Sequence, residues 1–97
     1  MPAVNSMSIS EALVAFLRES GLEQPVLEVQ VEEVWAQVMG ETVVHLTRSV
    51  EVKNGVLLVH VNSAALKAEL FANRFELVRK LNEAVGAPVL KDCRILG

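Results

Sequence analysis

The dipeptide Asn54-Gly55 separates two alternating runs, Val50-Glu51-Val52-Lys53 and Val56-Leu57-Leu58-Val59-His60-Val61. Asn and Gly accept the positive φ angles of a two-residue type I′ turn, so this stretch predicts a β-hairpin whose register the turn fixes. Lys53 then opposes Val56, Val52 opposes Leu57, Val50 opposes Val59 and Arg48 opposes Val61. Side chains alternate along a strand, and that register gathers Val50, Val52, Leu57, Val59 and Val61 on one face, which must be covered. The other face holds Ser49, Glu51, Lys53 and His60 with Val56 and Leu58.

The flanking segments supply the cover. Ser8-Ile9-Ser10-Glu11 reads as a capping box and Gly21 as a stop, predicting a helix over about residues 9 to 20. Its stripe Ile9, Leu13, Phe16 and Leu17 is expected to lie on the core. The preceding residues 1–7 are expected to fray. Leu27, Val31, Val34, Trp35 and Val38 repeat at helical spacing, with Pro25 suited to the first helical position and Gly40 to the stop. Residues 41–47 form a further turn or two. After the hairpin, Asn62 or Ser63 caps a long helical pattern that ends at Gly86-Ala87-Pro88, with Leu66, Leu70, Leu77, Leu81 and Ala84 on one side. Lys67 and Arg74 interrupt its apolar arc, which places a break near Ala72-Asn73-Arg74. Val89 to Leu96 reads as a third strand, with Val89, Cys93 and Ile95 on one face and Asp92 and Arg94 on the other. The resulting fold class is α+β, in the order α-α-β-β-α-β, with a three-stranded mixed sheet and its helices on one face.

Ninety-seven residues, 52% of them apolar, suffice for one domain with a single core, so the whole of 1–97 is read as one unit. A lone cysteine, Cys93, makes no internal disulfide and fits a reducing compartment. The N-terminal residues lack a signal-peptide pattern, and no apolar run approaches the ~18 residues of a membrane span. A cytoplasmic protein without membrane anchor is the expectation.

Catalytic parts are scarce. The chain has no Tyr, one Asp, one Cys and two His, and it carries no P-loop, dinucleotide fingerprint or nucleophile elbow. His45, His60 and Cys93 do not make a closed zinc site, and no cofactor is expected. Glu28, Glu32 and Glu33 read as a solvated helix face, with cation binding as the sharper alternative. A binding protein, not an enzyme, is the reading. Trp35 serves either as a core anchor with its indole N–H satisfied at the edge, or as a partner contact. His45 in a helical turn, and Leu58 and His60 on the outer hairpin face, are the other candidate partner contacts.

Net charge is −3, but it is unevenly distributed. Residues 1–33 carry six acids against Arg18, whereas residues 34–97 carry eight bases against six acids. Lys67, Arg74, Arg79 and Lys80 are therefore the candidate nucleic-acid contacts, in a basic rim that Arg48, Lys53, Lys91 and Arg94 extend. The aromatic pattern of an RNA-recognition sheet and a GXXG phosphate clamp are both missing.

Taken together, Val34-Trp35-Ala36-Gln37-Val38-Met39-Gly40-Glu41, His45-Leu46-Thr47, Asn54 through Val61, Leu66-Lys67-Ala68-Glu69-Leu70 and Leu81-Asn82 resemble the DciA-like family of bacterial proteins. The resemblance spans about residues 8 to 96, and Trp35, Gly40 and His45 map onto the family pattern. It implies a K-homology-like domain that assists or loads a replicative helicase of the DnaB type, with an affinity for DNA and no ATPase of its own. For this acidic chain the DNA contact is expected to be weak. The alternative is a small adaptor that self-associates through Val56 and Leu58 without binding nucleic acid.

Overall fold

In the computed structural model, which describes residues 8–97, the hairpin consists of β1 (Thr47–Lys53) and β2 (Val56–Val61). Asn54 and Gly55 take φ of 53° and 80°, the positive pair that a type I′ turn requires. Lys53 pairs with Val56, Val52 with Leu57 and Val50 with Val59, as the turn dictates. Beyond Ser49 the expected register fails: Thr47, not Arg48, opposes Val61, and a bulge lies between Thr47 and Ser49. Thr47 is held from two sides. Its hydroxyl donates to Val43 O at 2.7 Å, and the Asn62 N–H next to Val61 donates to Leu46 O at 2.8 Å. With both ends of that segment tied, the extra residue is taken up at Arg48 as a bulge.

The third strand, β3 (Asp92–Leu96), runs parallel to β2, so the sheet order is β1-β2-β3 with β2 in the centre. Leu57, Val59 and Val61 of β2 are buried together with Val52, Cys93 and Ile95. Three helices cover this face: α2 (Glu23–Met39) through Val31 and Trp35, α4 (Ala64–Ala72) through Leu70, and α5 (Arg74–Val85) through Leu77 and Leu81. The short α3 (Glu41–Leu46) leads into β1, and α1 (Ile9–Glu19) precedes α2. The α+β class, the mixed sheet and the one-sided helices agree with the sequence reading.

Two boundaries differ from expectation, each for a local reason, and the break in the long helix falls where the interrupted apolar arc predicts. Helix α2 starts at Glu23, which puts Pro25 at its third position. Amides of the first turn have no intrahelical acceptor, so the missing N–H costs nothing there. The long helix divides at Asn73, where the N–H donates to Glu69 O and Leu70 O and the side-chain amide donates to Glu69 O at 2.9 Å. Asn73 O then accepts from Leu77 N–H at 2.9 Å and opens α5. The last strand begins at Asp92 and not at Val89, because Asn82 takes the place of a neighbouring strand for Leu90. Its Nδ2 donates to Leu90 O at 3.0 Å and its Oδ1 accepts from Leu90 N–H at 2.8 Å.

Helix α1 brings a further correction. It is capped by Ser8 as predicted, with Glu11 N–H donating to the Ser8 hydroxyl, yet it buries no residue. Ile9 is 89% exposed, and Leu13 and Phe16 are also exposed. The core face of the sheet is already filled by α2, α4 and α5, and the tight reversal at Gly21 (φ +75°) lays α1 against α2. The expectation that residues 1–7 fray falls outside the described residues.

Carboxylates of α2 hold the hairpin to the helix layer. Glu28 Oε2 accepts from Gly55 N–H at 2.8 Å, and Glu32 Oε2 accepts from Val52 N–H at 3.1 Å. Gly55 O in turn accepts from Lys91 N–H at 2.8 Å, and a Cβ on Gly55 would lie 3.2 Å from Val89 O. Replacing Gly55 by Ala therefore combines a left-handed backbone with a crowded neighbour. Gly55→Ala is expected to lower stability by about 1–3 kcal/mol, read as a reduced urea midpoint at unchanged slope.

Candidate functional site

The covered face of the sheet leaves the other face open, and the register places its side chains in three rows across the strands. Lys53, Val56 and Asp92 form one row; Glu51, Leu58 and Arg94 the next; Ser49, His60 and Leu96 the last. The β2 members Val56, Leu58 and His60 are half-buried by their neighbours, and all six outer members are exposed. Lys53 and Asp92, like Glu51 and Arg94, stand on opposite sides of an apolar β2 residue, about 9–10 Å apart at ordinary strand spacing. The face is thus an apolar centre line with charges of both signs on its borders.

The candidate contacts are spread over the molecule. Leu58 and His60 share the open face, whereas His45 is exposed in the last turn of α3. Trp35 is 4% exposed and packs in the core between α2 and the sheet. Its indole N–H, expected to be satisfied at the edge, is buried and donates to no protein acceptor. Such a group costs about 1–3 kcal/mol, which the burial of the large ring offsets. In this conformation Trp35 acts by holding α2 to the sheet.

The basic residues also differ in what they meet. Lys67 and Lys80 are exposed and enter no ion pair within 4.0 Å among the described residues. Arg79 is clasped by Glu76 and Glu83 one turn away on either side, and its hydrogen bonds hold the Glu76 carboxyl below its ordinary pKa. Arg74 is partly buried at the α4–α5 break, where its guanidinium lies over the rings of Phe71 and Phe75. Those two rings were not singled out by the sequence reading as surface residues, although Phe75 stands two positions before Leu77 and so faces away from the buried side of α5.

Among the described residues there is no cluster of three His, Cys, Asp or Glu able to hold a metal ion. A cleft of about 600 Å³ opens between α1, the start of α2 and the turn after α5, lined mainly by Leu13, Leu17, Val26, Leu27, Val85 and Val89. The one ion pair on its wall, Arg18 Nε to Glu23 Oε2 at 3.1 Å, is a surface pair. Glu28 and Glu32, the alternative cation ligands, are engaged with the hairpin backbone. Cys93 is buried, and burial, reinforced by Asp92, pushes its thiol up to about 12.

A family model described as "Dna[CI] antecedent, DciA" matches residues 8–95. The chain belongs to the DciA family. DciA is a family of helicase loaders, associated with the replicative helicase DnaB and generally non-enzymatic. No curated protein matches the chain at a significant level. Several residues that carry the resemblance have structural work in the DciA fold seen here: Trp35 and Leu81 are core, Gly40 adopts φ +87° between α2 and α3, and Asn82 holds the entry to β3. No helix of the described residues is long and apolar enough to cross a membrane.

The high Cys93 pKa gives a direct expectation. At pH 8 the folded protein should react with a thiol reagent about a hundredfold or more slowly than the same chain in denaturant, because so little thiolate exists in the core. Equal rates would show that the strand carrying Cys93 opens freely.

Proposed function

We propose that this DciA family member engages a replicative helicase of the DnaB type through the open face of its sheet, with a weaker DNA contact along α4 and α5. The observation that carries the reading is the middle row of the open face, in which Leu58 lies between Glu51 and Arg94 on a strand whose alternate residues are buried in the core. An apolar centre with a charged border is the usual anatomy of a protein-binding patch. His60 extends this centre line toward Leu96, and His45 is a separate exposed contact on α3. Trp35 contributes by positioning α2. The role is one of binding and placement in DNA replication, with no chemical step of its own, in the cytoplasm where the helicase works.

For DNA, Lys67, Arg74 and Lys80 are the phosphate contacts, and Arg79 is left out because two carboxylates already neutralise it. The family's helicase association and the surplus of bases in residues 34–97 support this division. The adaptor alternative, self-association through Val56 and Leu58, uses the same face and is separated from helicase binding by the same variants.

Leu58→Asp, and Arg94→Glu at the less demanding edge strand, should each weaken co-purification with the cognate helicase about tenfold or more while the chain remains folded by circular dichroism. Wild-type retention by both folded variants places the helicase contact elsewhere, and a concentration-dependent loss of dimer in Leu58→Asp supports the adaptor. For DNA, about three phosphate contacts to a single strand predict that log affinity falls with log salt at a slope of about −2, reduced when Lys67 is changed to Glu. A flat salt response contradicts the basic rim.

A further inference from the structure

Two of the chain's three phenylalanines are exposed around one cation: Phe71 is 57% exposed and Phe75 is 75% exposed, on either side of Arg74. The Arg74 guanidinium lies 4.3 Å from the Phe71 ring centroid and 4.6 Å from that of Phe75. Its Nη1 also donates to Phe71 O at 3.0 Å, which fixes the group at the α4–α5 break. Lys67 precedes Phe71 by one turn of α4 and stands on the same side of that helix. The order along this edge is cation, ring, cation, ring.

Clustered exposed rings mark a surface that gains from being covered, and the cations among them attract an anionic partner. Single-stranded nucleic acid offers both in alternation: bases present flat π-faces, and phosphates join them. A duplex keeps its base faces stacked inside and offers this edge only its phosphates. The open sheet face carries no Phe, Trp or Tyr, and the edge at the helix break is where two exposed rings flank a cation. Beyond Phe75 the track ends at Arg79, which Glu76 and Glu83 neutralise.

We propose that Phe71 and Phe75 form a stacking site for the bases of single-stranded nucleic acid, with Arg74 and Lys67 meeting the phosphates between them. The proposal rests on the DNA contact inferred above and changes it from a charged rim to a site selective for unpaired strands. The interleaved cations favour nucleic acid over a purely apolar protein segment as the occupant.

The test measures fluorescence anisotropy of labelled oligothymidine, an abasic oligomer of equal length and a duplex, each titrated with the 97-residue chain. The wild type should bind oligothymidine about tenfold or more tightly than the abasic oligomer, since stacking is sequence-tolerant but needs a base. Phe71→Leu and Phe75→Leu keep the apolar bulk and remove the π-face; each should erase most of that ratio without changing the salt slope, and Phe75→Trp should preserve it. Equal wild-type affinity for the two oligomers, or an unchanged ratio in the Leu variants, overturns the stacking site. The DNA contact itself survives that result if affinity remains salt-dependent and falls in Lys67→Glu. Absence of binding to all three probes at low salt overturns both. Loss of helicase co-purification by the Leu variants with the oligomer ratio intact assigns the rings to a protein partner and also overturns the proposal.

Discussion

Gly55 donates its N–H to Glu28 of α2 at 2.8 Å and accepts at its carbonyl from Lys91, one residue before β3, at 2.8 Å. The hairpin turn is therefore the point at which the helix layer, the antiparallel pair and the parallel strand are joined. A residue with a side chain would meet Val89 O, and a residue confined to negative φ would not make the turn. The neighbouring bond from Val52 N–H to Glu32 occupies the outer edge of β1 with a helix carboxylate. Two glutamates thus fix how α2 crosses the sheet, and Trp35, further along the same helix, is brought over the core by that placement.

Once α2, α4 and α5 lie on one face, the opposite face follows from strand alternation alone. Every inward Leu57 or Val59 requires an outward Leu58 or His60, and no described helix remains to cover them. The same packing excludes α1. Its apolar stripe is as regular as that of a core helix, but the surface it would cover is already taken, so the stripe stays exposed beside the cleft at the start of α2. Amphipathicity states that a helix has an apolar face; the available area decides whether that face is buried within the chain.

The break at Asn73 has a comparable effect on α4 and α5. Phe71, in the last turn of α4, and Phe75, in the first turn of α5, flank the Arg74 guanidinium at the interruption. The burial of Leu70, Leu77 and Leu81 is kept because each half-helix is aimed separately at the sheet. Charge is sorted by local pairing: Arg79 is consumed by its own helix, and Lys67 and Lys80 stay available to solvent.

The sequence by itself determined the hairpin, its register from Val50 to Val59, the order of elements, the break near Asn73 and the core residues of the strands and of the helices from α2 onward. These depend on turn chemistry and on periodicities of 2 and 3.6, which are properties of neighbouring residues. The family pattern, carried by Trp35, Gly40 and the stretches around them, was legible for the same reason. Only the tertiary structure decided that Glu28 and Glu32 bind the hairpin backbone, that Asn82 substitutes for a strand beside Leu90, that Arg48 is a bulge and that α1 finds no core surface. Each of these joins residues far apart in the chain, or depends on which surfaces other elements have already filled. The exposure of Phe71 and Phe75 belongs with them, since a ring on an apolar arc is core or contact according to what packs opposite it.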